Sequence, residues 1–522
     1  MQSILNFLNK YWILLLVVAG GTVLRLFNLT KISLWHDEAF SALLIKYSWG
    51  EMFYRIGLDV HPPLYYVFLR IWHYVFGHSL FSMRAMSVAF GVGTIIIGYT
   101  FVKRFLGGTR AALIVATLIA VNPFQVQYVT EARMYTMGAF FAVLAAYLLG
   151  LALQATKNYY ITGSGLRPTR LTLFLYYLGF TLAGSALMYT HYYLLFTVAA
   201  LGLYGIMYLW ITFRWNIKRY IWLVLSAVGM GLLYIPWLNW FIYQYNQVGA
   251  GYWIPPINIW SIPDTLYRIT FNVGAPSKIV MTLTTIFVIW FVWGFLKKIH
   301  QTEKWLTLAV FLAPFGGALL FFAIAQLQGS DSSVYMVRYF IFAAPFLMIM
   351  LGLWIARIRI SALKTLALLT ITGSFIFSIG YYWNEINVNE RPGMAAIAEY
   401  LNANVEPEHK IYVGSNFEFF NYKYYNTHVY GQTNRPYLYT NGSLTKDMPH
   451  FAGTAILVDE ELVLDFEEST QAGDTVWLIW TNGFGGSKPL VPTNWTQVDE
   501  RGEADVRPYV GTWVVVTQYQ VN

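Results

Sequence analysis

The feature that most constrains this chain is a series of apolar stretches, each long enough to cross a lipid bilayer. A helix needs roughly 17–25 residues to span the hydrocarbon core. Such stretches run at 11–29, 84–102, 111–128, 136–155, 171–188, 194–212, 220–240, 279–296, 305–326, 339–356 and 365–383. About eleven transmembrane helices predict a mainly α, polytopic membrane protein. Composition agrees: of 522 residues 57% are hydrophobic and only 11% are charged, against about 25% charged in an average soluble domain. A soluble enzyme, a disordered chain and a disulfide-stapled secreted domain are excluded. Cysteine is absent, which also removes thiolate catalysis and Cys-ligated zinc.

The net charge of +8 divides unevenly along the chain. Residues 384–522 carry eighteen acids and eight bases, a net of −10, whereas residues 1–383 carry eight acids and twenty-six bases, a net of +18. The positive excess follows the membrane, and nucleic acid is not an expected partner. Lys103, Arg104 and Arg110 form one basic cluster; Lys157, Arg167 and Arg170 form the next. Further clusters are Arg214, Lys218 and Arg219; Lys297, Lys298 and Lys304; and Arg357, Arg359 and Lys364. They fall in every second loop, as the positive-inside rule requires of cytoplasmic loops. With Lys10 inside, the N-terminus is cytoplasmic and the C-terminal part extracytoplasmic. This predicts a transmembrane domain over 1–383 and an extracytoplasmic α/β domain over 384–522, in a plasma or inner membrane. The first apolar run lacks a small-residue cleavage site after it and is expected to stay as the first helix.

The segment His61 to Phe76 tests the scheme. It is apolar, but it opens with Pro62-Pro63 and carries Arg70 and His73. Counting it as a span would put every later basic cluster outside. It therefore reads as an amphipathic helix lying on the outer leaflet.

The membrane region holds just eight acids: Asp37, Glu38, Glu51, Asp59, Glu131, Asp264, Glu303 and Asp331. On this topology all but Glu303 face outward, and four lie in the first outer loop. Carboxylates gathered on one face beside aromatics point to a site opening outward, although any outer loop also needs polar residues. Asp37-Glu38 could equally cap the apolar run that follows, because acids favour a helix N-terminus.

The order of motifs narrows the reading. LWHDEAFSALL follows the first helix, and HPPLYY follows about twenty residues later; NPFQVQYVTEARMY and VYMVRYFIFAAPF come further on. With Arg84 opening the second span, these motifs resemble the C-type fold (GT-C) glycosyltransferase superfamily. They are most similar to its protein O-mannosyltransferase and lipid A aminoarabinose transferase branch, often called family-39-like. The residues that carry the resemblance are Asp37-Glu38, His61-Pro62-Pro63-Leu64-Tyr65-Tyr66, Arg84, Glu131-Ala-Arg133-Met-Tyr135 and Arg338-Tyr339. The C-terminal domain matches only in placement and α/β character.

The resemblance implies transfer of a sugar from a polyprenyl-phosphate donor to an acceptor hydroxyl on the extracytoplasmic face, with inversion. The acceptor class is a protein, a glycolipid or a glycan. Such chemistry needs a carboxylate base, cations for the departing phosphate and an apolar groove for the lipid. Asp37 matches the family's first-loop acid and is expected to be the base. Adjacent helical residues point about 100° apart, so Glu38 is expected to orient it or bind the acceptor. His61, Arg133, Lys278 and Arg338 are the candidate phosphate ligands. His61 stands where the aminoarabinose branch has a basic residue before proline, and histidine is only partly charged near neutral pH. Lys and Arg at helix ends also commonly snorkel to headgroups.

Asp59, Tyr65, Glu131, Tyr135 and Tyr339 are expected to support the site. Arg25 reads as structural or snorkelling, and His191 in MYTHYY either contacts a substrate or is a satisfied interfacial residue. Asp37, Glu38 and Asp59 would suit a divalent cation, but no ligand spacing is diagnostic and the metal is unassigned.

In the C-terminal domain a helix is expected from Arg391 to about Asn402, and strands at Lys410–Val413, Thr454–Val458, Asp474–Trp480 and Thr512–Gln518. A rival reading is a membrane transporter or lipid flippase without glycosyl transfer. Transporters often carry paired, Gly/Pro-interrupted spans and charges at the midplane. The one-surface acids of this chain count against that.

Overall fold

A computed structural model describes residues 2–161, 167–249, 254–327, 329, 333–387, 389–483, 486–506 and 511–522, with backbone alone at 2–9 and 249. Asp331 lies outside the described residues. Apolar sequence becomes helix throughout the first three-quarters of the chain. In order these helices are α1 (Gln2–Leu26), α2 (His36–Leu44), α3 (Trp49–Leu58), α4 (Leu64–Phe76), α5 (Leu80–Phe105) and α6 (Thr109–Val121). Next come α7 (Pro123–Tyr128), α8 (Tyr135–Ile161), α9 (Arg170–Thr190), α10 (Leu194–Phe213), α11 (Ile221–Gly249) and α12 (Ser261–Thr270). The series continues with α13 (Lys278–Lys298), α14 (Glu303–Leu327), α15 (Ala344–Ala356), α16 (Ser361–Ile386), α17 (Met394–Asn404) and α18 (Asn416–Tyr424).

Among the described residues eight helices are long and apolar enough to cross a membrane: α5, α8, α9, α10, α11, α13, α14 and α16. The chain is a membrane protein. Two expected spans are divided. The run 111–128 breaks at Asn122, whose backbone is extended and whose side chain accepts from the Gln125 N–H at 3.1 Å. Pro123 starts α7 because it has no N–H to offer α6. The run 339–356 begins as a 3-10 turn at Val337–Phe342 and becomes α-helical only from Ala344, with Pro345 in the first turn. The apolar segment after Pro63 forms α4, only 13 residues long, with Leu69 and Arg70 buried and Phe68, Ile71 and Tyr74 exposed.

The chain forms two compact units. One comprises Met1–Phe27, His61–Tyr65 and Arg84–Tyr382; the other comprises Asn28–Val60, Tyr66–Met83 and Trp383–Asn522. The second therefore includes most of the first loop, which a sequence boundary at 384 does not anticipate. In the first unit Arg25 is structural. Its buried guanidinium donates to the carbonyls of Gly21 at 3.0 Å, Ala120 at 2.7 Å and Ile119 at 3.1 Å. Two of those carbonyls close α6, where no further helical N–H is available.

The second unit is built on a six-stranded sheet in the order β3-β2-β1-β4-β6-β5. Its strands are β1 (Lys410–Val413), β2 (Pro436–Tyr439), β3 (Leu462–Val463), β4 (Thr475–Thr481), β5 (Trp495–Asp505) and β6 (Thr512–Val521). β3 to β4 are parallel, and β6 and β5 add antiparallel. Tyr412, Phe466, Leu478, Trp495 and Tyr519 pack the core on one face.

Two expectations fail here. Thr454–Val458 is a turn: Gly453, at φ +81, accepts from Ile456 and Leu457. Its apolar run is buried, but burial alone cannot tell a strand from a folded loop. The helix expected from Arg391 starts at Met394, because Gly393 adopts φ +55 and breaks the helical path.

Candidate active-site residues

Each unit holds part of the candidate set. In the first unit the residues meet at one end of the membrane helices, where α8 starts and α9 ends. His191 caps α9 and is buried. Its Nδ1 accepts the Tyr193 backbone N–H at 3.2 Å, which leaves Nε2 as the protonated donor of the neutral ring. Around it stand the rings of Tyr339 at 4.6 Å, His61 at 5.9 Å and Tyr135 at 6.4 Å. The Arg338 guanidinium lies 6.0 Å from the Tyr135 ring centroid. Burial, then the charges of His61, Arg133 and Arg338, hold His191 well below its ordinary pKa. These three expected phosphate ligands therefore share one electrostatic environment, focused on a neutral imidazole.

Backbone geometry explains the convergence. The turn of α9 into α10 at His191–Tyr193 presents two rings together, and Tyr193 is anchored by donating its hydroxyl to the Val334 carbonyl at 2.6 Å. The 3-10 turn at Val337–Phe342 then places Arg338 and Tyr339 beside them. Arg133 and Glu131 are both buried in the segment before α8, where Ser87 donates to the Glu131 backbone carbonyl at 2.7 Å. Tyr65 and Arg84 are wholly or almost wholly buried. Lys278 does not join the group. It is exposed at the start of α13, with its ammonium 5.5 Å from the Trp260 ring centroid.

His191 gains a defined place that its sequence context left open. Nothing in the sequence singles out Tyr193. The tyrosine-rich run was the available signal, but spacing does not say which ring turns inward.

In the second unit, Asp37 and Glu38 occupy the first turn of α2, whose N-terminal cap, Trp35, makes no side-chain capping bond. Positive charge at a helix N-terminus favours both carboxylates. Their exposures differ: Glu38 is fully buried and Asp37 is half-buried. Of the two carboxylates, Asp37 is the one open to solvent. α2 packs on α18 of the C-terminal part. The His36 ring lies 5.2 Å from Phe417 and 5.5 Å from Phe420, and Leu34 N–H donates to the Tyr425 hydroxyl at 3.0 Å. Arg55, paired with Glu51 at 2.6 Å, also donates to the Ala455 carbonyl at 2.9 Å. The C-terminal part thus positions the helix that carries Asp37.

Two other acids have local partners. Glu51 has Arg55, and Asp264 takes both of its oxygens to Arg268 Nε, at 3.1 and 2.9 Å. Asp59 caps the C-terminal end of α3 and is half-buried. Among the described residues no three His, Cys, Asp or Glu side chains are grouped to hold a metal ion. Asp37, Glu38 and Asp59 do not form such a set.

Comparison with solved structures decides the fold. ArnT from Cupriavidus metallidurans bound to undecaprenyl phosphate matches over 97% of this chain and 97% of its own, with a TM-score of 0.60 at 13% identity. The chain has the GT-C fold. Apo ArnT from the same organism matches over 98% of both chains, with a TM-score of 0.50 at 13% identity. No protein-family model matches the sequence, and no curated protein does. The GT-C fold accounts for the apolar helices and the small C-terminal sheet together.

Proposed function

We propose that this GT-C protein transfers a sugar from a polyprenyl-phosphate donor to an acceptor hydroxyl on the extracytoplasmic face of the membrane. The observation that carries this reading is the cluster of His61, Arg133 and Arg338 around His191 and Tyr339. It supplies concentrated positive charge and aromatic surface at the ends of apolar helices, as a lipid-linked phosphate requires. The fold points the same way, since ArnT of this fold has been crystallised with undecaprenyl phosphate.

Asp37 takes the proton from the acceptor hydroxyl as that oxygen attacks the anomeric carbon. The bond from the anomeric carbon to the phosphate oxygen breaks, and the electron pair leaves with the polyprenyl phosphate. Arg133 and Arg338 stabilise the phosphate charge as it grows, with His61 contributing when protonated. His191, neutral and oriented by Tyr193 N–H, offers an Nε2–H hydrogen bond without adding charge. Glu38, buried on the same turn of α2, orients Asp37. One base and a single displacement invert the anomeric centre. The acceptor is a protein, glycolipid or glycan hydroxyl.

The test is sugar transfer by purified protein from labelled polyprenyl-phosphate sugars to a mixed acceptor extract, comparing wild type with Asp37→Asn. Product from wild type alone supports the assignment. Equal activity in both moves the base to Glu38. No product from any donor would favour the rival reading of a transporter or flippase.

A further inference from the structure

Apart from the groups just discussed, the second unit holds a compact basic cluster. α4 ends at Phe76, and Gly77, at φ +77, donates its N–H to the His73 carbonyl at 2.9 Å. Glycine takes this left-handed turn at little cost. The turn lays His78 against His73, ring centroids 4.3 Å apart and planes 25° from parallel. His428 joins from the π-helical turn Tyr425–Val429. Tyr424 links the segments: its hydroxyl donates to the His78 carbonyl at 3.2 Å, and its ring lies 5.4 Å from His428. Lys46, just past α2, is the fourth member, and its charge acts on both His73 and His428.

Two ring nitrogens here are shielded from solvent and make no hydrogen bond among the described residues: His73 Nδ1 and His428 Nε2. Thr427 donates its hydroxyl to the Lys423 carbonyl at 2.7 Å and so accepts from His428 Nδ1 at 2.8 Å. The neutral His428 ring therefore carries its lone pair on the shielded Nε2. A buried polar atom without a partner destabilises the folded state.

The charges acting on these rings are all positive: His78, Lys46 and Arg70 on His73, and Lys46, His78 and His73 on His428. Burial and these charges lower His73 and bring His428 down to about 4. Lys46 is exposed as a whole, yet loss of water around its ammonium lowers it to about 8. Packing of neutral rings explains the lowered values but leaves His73 Nδ1 and His428 Nε2 without a partner. An oxyanion entering the cluster would offer these ring nitrogens a partner and relieve the repulsion. Beside the cluster Tyr74, Val75, Phe76 and Phe81 are more than half exposed, at 66%, 67%, 58% and 52%. Such apolar surface suits acyl chains.

We propose that Lys46, His73, His78 and His428 bind the phosphate group of an anionic lipid. Binding protonates His73 and His428, whose N–H groups then donate to the phosphate oxygens.

Calorimetric binding to the full-length protein in a neutral detergent tests this. The lipid probe is dioctanoyl phosphatidylglycerol, whose phosphodiester charge is constant over the range used. Inorganic sulfate serves as the lipid-free oxyanion. Wild type should take up protons on binding, and so bind more tightly at about pH 5.5 than at about pH 7.5. His73→Gln/His428→Gln should bind about tenfold more weakly and lose the proton uptake. Unchanged affinity and unchanged uptake in that variant would overturn the proposal. Should the double variant not fold, Lys46→Met at its exposed position reads the same loss of affinity. Much weaker binding of sulfate supports a lipid as the source of the phosphate. Equally tight sulfate binding, abolished by the same substitutions, would make the occupant a free oxyanion and overturn the lipid assignment.

Discussion

Arg25 Nη1 donates to the Ala120 carbonyl at 2.7 Å, so that a buried guanidinium on the first helix closes the end of α6. Nη2 adds Ile119 at 3.1 Å. Arg25→Met would leave these carbonyls unmatched in apolar surroundings. The expected loss is about 3 kcal/mol of stability, read as a lower unfolding midpoint in detergent. Arg25→Lys should recover only part of it, because an ammonium lacks the planar fork that reaches several carbonyls together.

Asp37 and Glu38 are neighbours with different surroundings, one half-buried and one fully buried. Asp37→Asn should reduce sugar transfer about 10²–10⁴-fold and leave the unfolding midpoint unchanged. Glu38→Gln should cost less activity and more stability. Parallel transfer assays and thermal unfolding separate the two effects.

Arg133 and Arg338 act on His191 together, whereas Lys278 lies over Trp260. Arg338→Gln and Arg133→Gln should each lower kcat/KM for the lipid-linked donor about 10²-fold. Lys278→Gln should leave it nearly unchanged. Steady-state kinetics with one donor at varied concentration checks the contrast.

Glu418 is buried on α18, hydrogen-bonded by Asn421 at 2.9 Å. Burial, and then the Asp505 carboxylate, raise its pKa to about 8. A raised acid pKa means the folded state holds a proton that the unfolded state has released. Its contribution is therefore full below the ordinary glutamate value of 4.5 and is lost as pH rises towards about 8. His428 works in the opposite sense, since its stabilisation is lost as pH falls from 6.5 through about 4. Glu418→Gln should flatten the decline in unfolding midpoint between about pH 5 and pH 8. The His428 contribution is common to both proteins and cancels in the comparison.

Hydropathy locates the long apolar helices, because each apolar run must satisfy its own backbone hydrogen bonds inside a bilayer. The short α4 is equally legible, since Pro62-Pro63 and Arg70 deny it a spanning length. The breaks at Asn122 and Ala344 are less so: an apolar run has the same hydropathy whether or not a proline divides it. In the C-terminal part, β1 and β6 announce themselves by β-branched and aromatic residues. β5, which reads WTQVDERGEAD, does not, because its pairing with β6 rather than its composition makes it a strand. Sequence likewise supplies the candidate chemistry, an acid pair in the first loop and bases at helix ends. Only tertiary structure decides that His61, Arg133 and Arg338 act on one histidine, that Lys278 stands apart, and that α2 packs on α18. Those relations join residues separated by scores to hundreds of positions, and no local periodicity or propensity encodes them.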